Sequence, residues 1–166
     1  MALPAIKVMA PRSILKLFGP TALVAIIVAR FSRLLNSPCR LTERDGSPRD
    51  RQWIGRYGER VATSWLRAQG CNILSRNYCG PKGGEVDIIA RDGKLLLFIE
   101  VKTRTGSQSM RPLDAVDREK QELIERGARH WITQLGHPRP AWRHDVLEIT
   151  LQDGEKPQVN QVKDAF

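Results

Sequence analysis

The stretch that decides the fold is GGEVDIIARDGKLLLFIEVKTR, residues 83–104. Two apolar runs flank Asp92-Gly93, and Asp-Gly is a strong signal for a two-residue hairpin turn. With the turn at these two residues, Ala90 lies opposite Leu95, and side chains alternate between the two faces of the hairpin. One face is wholly apolar: Val86, Ile88, Ala90, Leu95, Leu97, Ile99 and Val101. The other is apolar except at one end, which carries Glu85, Asp87, Glu100 and Lys102.

These four charged groups need an explanation. A hairpin that is apolar on both sides is expected at the centre of a sheet, where unpaired charges are costly. One explanation is a solvated sheet end, at which exposed ion pairs are nearly neutral in energy. The other is a metal site, because converging carboxylates repel one another and a divalent cation relieves that repulsion. Hard oxygen ligands suit Mg²⁺ or Mn²⁺. The pattern alone leaves both explanations open.

A lysine beside such carboxylates adds a chemical function. Lys102 lies two residues after Glu100 and on the same face, where it can orient or deprotonate an attacking water. A metal that activates water and stabilises charge on a phosphate suits phosphodiester hydrolysis. A nucleotide cofactor is disfavoured, because the sequence contains neither G-x-x-x-x-G-K-[ST] nor G-x-G-x-x-G.

The same residues carry a resemblance to known families. Asp87, followed further along by Glu100-Val101-Lys102, resembles the D…(D/E)-x-K signature of the restriction-endonuclease-like nuclease superfamily. A wider series resembles the YraN-type family of small, largely uncharacterised bacterial proteins that are predicted to be nuclease-like. That series is Gly58-Glu59, Gly84-Glu85-Val86-Asp87, Phe98-Ile99-Glu100-Val101-Lys102-Thr103-Arg104, Lys120 and Arg143-His144-Asp145-Val146. One departure from the superfamily is Val86, where a proline often precedes the aspartate.

The resemblance implies a fold and a site. The fold is a restriction-endonuclease-like αβββαβ core, an α/β architecture with a mixed sheet flanked by helices. Asp87 and Glu100 would bind Mg²⁺ or Mn²⁺ directly, with Glu59 assisting through water. Lys102 would position the attacking water, and Glu85 is a weaker candidate. The substrate would be DNA or RNA, and a homodimer would be needed to cut both strands at once. The alternative is a non-catalytic nucleic-acid-binding or adaptor protein on the same scaffold, because fold does not fix function.

Basic residues near the acidic cluster are candidates for contacts with nucleic acid. Lys82 precedes the cluster in the glycine-rich loop 79–84, and Arg104 and Arg111 follow it in a stretch predicted to be flexible. Loops beside a site often carry substrate contacts, and basic side chains bind phosphates. Lys120 interrupts the apolar stripe of a predicted helix. Its stem either extends the ammonium to solvent or lets it contact a phosphate at the site.

Two helices are predicted around the hairpin. One runs from Trp53 to Gln69 and is closed by Gly70, and the other covers residues 114–135 with Asp114 as its N-cap. The first helix is predicted to bury Ile54, Gly58, Val61, Trp65 and Ala68. Glu59 lies off this stripe and shares a side with Ala62 and Leu66, so that without the resemblance it would be an ordinary surface glutamate.

Two further strands complete the predicted core. Residues 71–78 form the first strand and residues 142–151 the last, which makes the order helix, three strands, helix, strand. Asp145 in the last strand is predicted to be a structural carboxylate bonded to Arg143 or to backbone, in preference to a third metal ligand. Residues 152–166 form a polar C-terminal tail that is predicted to fray.

Charge and composition divide the chain into an extension and a domain. Of the net charge of +9, +6 lies in residues 1–51, which hold nine Lys and Arg against three Asp and Glu. The predicted domain, residues 52–151, therefore carries little of the positive charge that would indicate a nucleic-acid partner. Three cysteines without C-x-x-C spacing favour a reduced, cytoplasmic setting.

The N-terminal extension is basic and apolar, and it ends in a polar linker. Its uncharged run, residues 17–29, is short for a membrane span, which needs about 20 apolar residues. Arg30 and Arg33 follow at once, so residues 14–35 are predicted to make at most weak contact with a membrane surface. The alternative is an incidental extension, since the family pattern begins after it.

Overall fold

The computed structural model describes residues 33–106, 118–136 and 140–166. Two helices enclose one five-stranded sheet. The elements in chain order are α1 (Arg51–Ala68), β1 (Asn72–Cys79), β2 (Glu85–Asp92), β3 (Leu95–Thr105), α2 (Arg118–Gln134), β4 (Trp142–Leu151) and β5 (Gln158–Val162). The predicted α/β architecture, with a mixed sheet flanked by helices, is therefore confirmed. The predicted N-cap of the second helix, Asp114, lies outside the described residues.

The sheet is mixed because one connection in it crosses over. The strand order is β1-β2-β3-β4-β5, and every neighbouring pair is antiparallel except β3 with β4. Parallel neighbours cannot be joined by a tight turn, and α2 lies in the connection between β3 and β4. The predicted series of helix, three strands, helix and strand is therefore present, with β5 added at the edge.

The hairpin turn lies one position later than predicted. Asp92 pairs with Leu95, so the turn residues are Gly93 and Lys94 rather than Asp92 and Gly93. Gly93 has φ of +56°, which glycine adopts without steric cost and which suits the first central position of a hairpin turn. Ala90 consequently pairs with Leu97 instead of Leu95. Because the pairing moves by two residues and side chains alternate with a period of two, the two faces keep their predicted composition along the paired part of the hairpin.

Each face of the sheet has its own core. The α1 side buries Val61, Ala62, Leu66, Ile88, Ala90, Leu97, Ile99, Leu147, Ile149 and Leu151. The α2 side buries Val86, Ile89, Leu96, Phe98, Ile124, Ala128, Ile132 and Val146. Each fully buried valine, leucine, isoleucine or phenylalanine among them contributes about 1.5–3 kcal/mol to the stability of the fold. Val86 was expected on the same face as Ile88. It packs instead on the α2 side, beyond Ile88, where regular pairing of β2 with β3 stops while pairing of β2 with β1 continues.

The buried stripe of α1 differs from the predicted one. Ala62 and Leu66 are fully buried, whereas Ala68 is exposed. Glu59 shares a helical side with Ala62 and Leu66, as predicted, but this side is buried at Ala62 and Leu66 and Glu59 itself is half-buried. The approach of α1 to β3 explains the difference, because a Cβ atom added to Gly58 would lie only 1.8 Å from Thr103 Oγ1.

The segments on both sides of the predicted domain pack against it and against each other. The Cys39 N–H donates to the Glu155 carbonyl at 2.8 Å, and the Gly154 N–H donates to the Cys39 carbonyl at 2.9 Å. The predicted fraying of the C-terminal tail is wrong, because β5 pairs with β4 and covers what would otherwise be an open sheet edge. No helix within the described ranges is long and apolar enough to cross a membrane. Of the predicted membrane-contact segment, residues 14–32 lie outside those ranges.

His144 provides a test of this packing by pH. Its ring is 4% exposed, stacks on Phe166 with a centroid distance of 4.7 Å and meets the edge of Trp142 at 5.0 Å. Burial lowers the pKa of His144, and this outweighs the opposing charges of Glu125, Asp145 and Asp164. The native state thus prefers the neutral ring, and its stability is lost as the pH falls below the ordinary histidine value of about 6.5.

We expect His144→Phe to flatten this pH dependence. Neither ring nitrogen of His144 has a hydrogen-bond partner among the described residues, so phenylalanine removes no bond and keeps the ring contacts. Urea unfolding between about pH 7 and pH 5 measures the effect, which is at most about 1.4 kcal/mol per pH unit for one proton. Parallel stability curves for wild type and variant would contradict the expectation.

Candidate active site

The candidate site lies where the two central strands separate. Pairing between β2 and β3 ends at Ile88 and Ile99, and beyond these residues the Val101 N–H donates to Asp87 Oδ2 at 2.8 Å. The side chain of Asp87 thus occupies the gap between the strands. Glu100 precedes Val101 on β3 and is 4% exposed. The structure therefore brings together the two carboxyl groups that the sequence singles out, with Glu100 buried and Asp87 half-buried.

The electrostatics of this pair are unfavourable without a further positive charge. Burial raises the pKa of Asp87 to about 7, and the charge of Glu100 acts in the same direction. The Val101 N–H and the ammonium of Lys120 oppose this rise with smaller effects. Glu100 Oε2 is buried and has no hydrogen-bond partner within the described part of the chain. This carboxylate oxygen can therefore still accept a hydrogen bond or bind a cation.

Two lysines lie beside Glu100 at ion-pair distances. Lys102 Nζ is 3.0 Å from Glu100 Oε1, and Lys120 Nζ is 3.5 Å from Glu100 Oε2, too far for a good hydrogen bond. Lys120 also binds Glu85 Oε2 at 3.2 Å. Burial lowers the pKa of Lys120, but the charges of Glu100, Glu85 and Asp87 outweigh it and leave the pKa raised. Lys120 is thus held as a cation on the α2 side of the carboxylates, and the half-exposed Lys102 borders solvent.

Glu59 lies next to the carboxylate pair without joining it. Its charge contributes to the raised pKa of Asp87, but as the weakest of the causes. Glu59 Oε2 is 3.7 Å from Arg76 Nη2, a pairing that spacing along the sequence could not reveal. Among the residues that the structure describes, no three Asp, Glu, His or Cys side chains lie close enough to hold a metal ion. The structure thus assembles Asp87 and Glu100, with Glu59 as a neighbour.

The basic candidates are dispersed. Arg104 lines a cavity of about 430 Å³ together with Arg51 and Glu59, between the start of α1 and the end of β3. Lys82 lies in a 3₁₀ turn, Pro81–Gly83, and its side chain lies outside the described part. Arg111 falls among residues 107–117, which also lie outside it. Arg51 was missed as a candidate because the linker prediction included it, whereas helix α1 begins there.

Asp145 has the structural role predicted for it. It is fully buried, and its carboxylate accepts hydrogen bonds from Arg143 Nε at 2.7 Å and from Gln161 Nε2 at 2.7 Å. Further bonds come from Arg143 Nη2 at 3.1 Å and from the Asp164 N–H at 3.0 Å. Four donors satisfy this carboxylate, so it has no need of a metal.

Comparisons with known proteins place these residues in a family. The chain matches the model of a family described as uncharacterised protein family UPF0102 over residues 58–149. A UPF0102 protein from Geotalea daltonii is 41% identical over 118 residues, which are 70% of this chain and 91% of that relative. Another from Geobacter metallireducens is 40% identical over 68% of this chain and 91% of its own length, and one from Nocardia farcinica is 36% identical over 70% and 91%. Glu59, Asp87, Glu100 and Lys102 all fall within the matched region.

Proposed function

The chain belongs to the uncharacterised protein family UPF0102, the YraN-type family of the resemblance above, and we propose that it is a metal-dependent nuclease that hydrolyses phosphodiester bonds in DNA or RNA. The observation that carries this proposal is the pair of neighbouring carboxyl groups, the half-buried Asp87 and the buried Glu100, at the separation of β2 and β3. Such a pair is costly for stability, and a protein has reason to keep it where it serves chemistry.

The residues of this site fit a hard divalent cation. Asp87 and Glu100 offer carboxylate oxygens, which Mg²⁺ and Mn²⁺ prefer. The raised pKa of Asp87 favours added positive charge, and so does Glu100 Oε2, which lacks a hydrogen bond among the described residues and has only the ion pair with Lys120. Glu59, whose charge acts on Asp87, would assist through a water. When bound, the ion supplies activation of water and stabilisation of negative charge on the phosphate.

The lysines and Arg104 have distinct roles in this proposal. Lys102, next to Glu100 and bordering solvent, orients the attacking water and stabilises the charge that develops on the phosphate. Lys120 fixes the orientation of Glu100 from the α2 side and is available to a phosphate oxygen. Arg104, in the cavity beside Glu59, contacts the nucleic-acid backbone without reading its sequence.

One observation favours a second candidate function. Because Lys102 and Lys120 both pair with Glu100, they already offset part of its charge, as a purely structural ion-pair network does. A non-catalytic nucleic-acid-binding or adaptor protein on this scaffold requires no more than that. The two functions differ in whether the carboxylates bind a divalent ion.

Manganese binding measured by calorimetry on the full chain separates them. We expect wild type to bind Mn²⁺ in the micromolar to millimolar range and Asp87→Ala/Glu100→Ala to lose this binding. The matched control is Glu122→Ala/Glu125→Ala, which removes two acidic side chains from α2 away from the site and should bind as wild type does. Circular dichroism establishes that each variant is folded. If wild type binds no Mn²⁺, with or without nucleic acid, the nuclease proposal fails and the adaptor function stands.

A further inference from the structure

A second basic surface lies on the other side of Glu59. It is a cleft of about 490 Å³ between α1, β1 and the start of the described chain. Four arginines line it, Arg33, Arg60, Arg67 and Arg76, and we call it the arginine cleft. Of the described residues that line it, none is acidic. A concave surface with this composition attracts anions.

The arginines are held close together by the fold. Arg60 and Arg67 are seven residues apart on α1, about two turns, and therefore project from the same side of the helix. Arg76 reaches this side from the neighbouring strand β1. Burial, and after it the charge of Arg76, lowers the pKa of Arg67, as expected for guanidinium groups that repel one another. An anion with several oxygens would relieve this repulsion and accept several hydrogen bonds at once.

The polar groups in the cleft restrict the class of ligand. Thr63 Oγ1 donates to the Glu59 carbonyl at 2.7 Å, and Ser64 Oγ donates to the Arg60 carbonyl at 2.8 Å. These hydroxyl hydrogens are already engaged with the helix backbone, so recognition rests on the guanidinium groups. Guanidinium forks match phosphate oxygens in geometry and carry no information about base identity.

The arginine cleft reaches Glu59, the neighbour of the candidate active site. Arg76 Nη2 lies 3.7 Å from Glu59 Oε2, so one end of the cleft is at Glu59. Glu59 also lines the cavity that contains Arg51 and Arg104. Basic surfaces therefore lie on two sides of Glu59, the neighbour of the carboxylate pair, as a strand that runs past the site would require.

We propose that the arginine cleft binds backbone phosphates of a nucleic-acid strand away from the position of cleavage, and so holds the strand across the active site. The identity of the ligand as substrate rests on the proposed nuclease function, whereas binding itself requires neither metal nor catalysis. The contact is independent of base sequence and strongly dependent on salt.

The test compares two charge-matched double variants of the full chain. Arg60→Gln/Arg67→Gln removes two arginines of the cleft, and Arg126→Gln/Arg129→Gln removes two exposed arginines of α2. Glutamine is a good helix former, so both variants should fold, which circular dichroism checks. Fluorescence anisotropy with a short labelled DNA, single-stranded and duplex, is measured in EDTA over a range of salt concentrations.

We expect the cleft variant to bind DNA about tenfold more weakly at moderate salt. The slope of log affinity against log salt concentration should also become shallower, by the amount expected for the loss of about two phosphate contacts. The α2 variant should retain nearly the wild-type slope. Equal losses in the two variants would overturn the proposal. It would also be overturned if the cleft variant lost binding to phosphatidylserine-containing vesicles while keeping its affinity for DNA, because the cleft would then be a membrane site.

Failure of the proposed nuclease function has a different signature. Asp87→Ala/Glu100→Ala should bind DNA in EDTA at least as well as wild type, because it retains all four arginines and loses nearby negative charge. If wild type binds no Mn²⁺ but the cleft variant still binds DNA more weakly, the nuclease proposal falls and the arginine cleft stands.

Discussion

Asp87→Asn should slow metal-dependent cleavage by about 10³-fold, the effect expected when a group that stabilises transition-state charge is lost. It should also make the metal-free protein more stable. Burial and the charge of Glu100 raise the pKa of Asp87 to about 7, above its ordinary value of 3.8. A carboxyl whose pKa is raised by folding favours the native state while it is protonated, and that stability is lost as the pH rises through about 7. Asparagine keeps the acceptor for the Val101 N–H and carries no charge.

Urea unfolding in EDTA measures this gain. We expect the free energy of unfolding of Asp87→Asn to exceed that of wild type by about 1–3 kcal/mol at about pH 8, and the excess to shrink toward pH 5. Asp92→Asn, at the exposed end of the same strand, is the control and should have little effect. A variant that is less stable than wild type at pH 8 would mean that the Asp87 carboxylate is structural. Such a result would favour the adaptor function.

The composition of the hairpin faces could be predicted because it is insensitive to the error in the turn. Gly93 serves as a turn residue in either register, and a shift of the pairing by two residues leaves each paired side chain on its face. Asp87, Glu100 and Lys102 therefore come to one end of the hairpin in both cases. Val86 departs from the pattern because it lies beyond the paired part of the hairpin, which alternation along a strand cannot reveal.

The position of Glu59 could not be derived from helical spacing alone. Two sets of apolar residues in α1 fit a buried stripe, one with Ala68 and one with Ala62 and Leu66. What selects the second is a tertiary contact, the approach of Gly58 to Thr103, which leaves no room for a side chain at Gly58. Two signals in the sequence indicated that Glu59 lies near the core: the helical side that it shares with Ala62 and Leu66, and the match to the family's Gly58-Glu59 pair.

The edge strand and the arginine cleft were missed for related reasons. β5 has the sequence QVNQV, in which little is buried, and it is held mainly by backbone pairing to β4. A polar strand of this kind leaves no hydrophobic pattern. The spacing of Arg60 and Arg67 on one side of α1 was visible in the sequence. The position of Arg76 beside them depends on how β1 packs near α1, which no local pattern encodes.

Asp145→Ala should be among the most destabilising substitutions in the chain, lowering the free energy of unfolding by about 3–5 kcal/mol. The carboxylate is fully buried and accepts four hydrogen bonds, two from Arg143, one from Gln161 in β5 and one from the Asp164 N–H. Alanine leaves the partly exposed Arg143 guanidinium and two further donors without their acceptor. Because these donors tie β5 and the C-terminal turn to β4, limited proteolysis should also release the C-terminal segment earlier.

Two aspartates on neighbouring parts of one sheet are therefore expected to respond in opposite directions. Asp145 accepts hydrogen bonds from an arginine and two further donors. Removing its charge therefore leaves the Arg143 guanidinium without its counterion and weakens those hydrogen bonds. Among the described residues, Asp87 accepts one backbone hydrogen bond and has a carboxylate neighbour. Removing its charge therefore relieves the repulsion between the two carboxylates. Unfolding of Asp145→Asn and Asp87→Asn side by side at about pH 8 measures the contrast, with the first expected to lose stability and the second to gain it. Equal losses in both would assign Asp87 to the structural network and remove the physical reason for a divalent ion between β2 and β3.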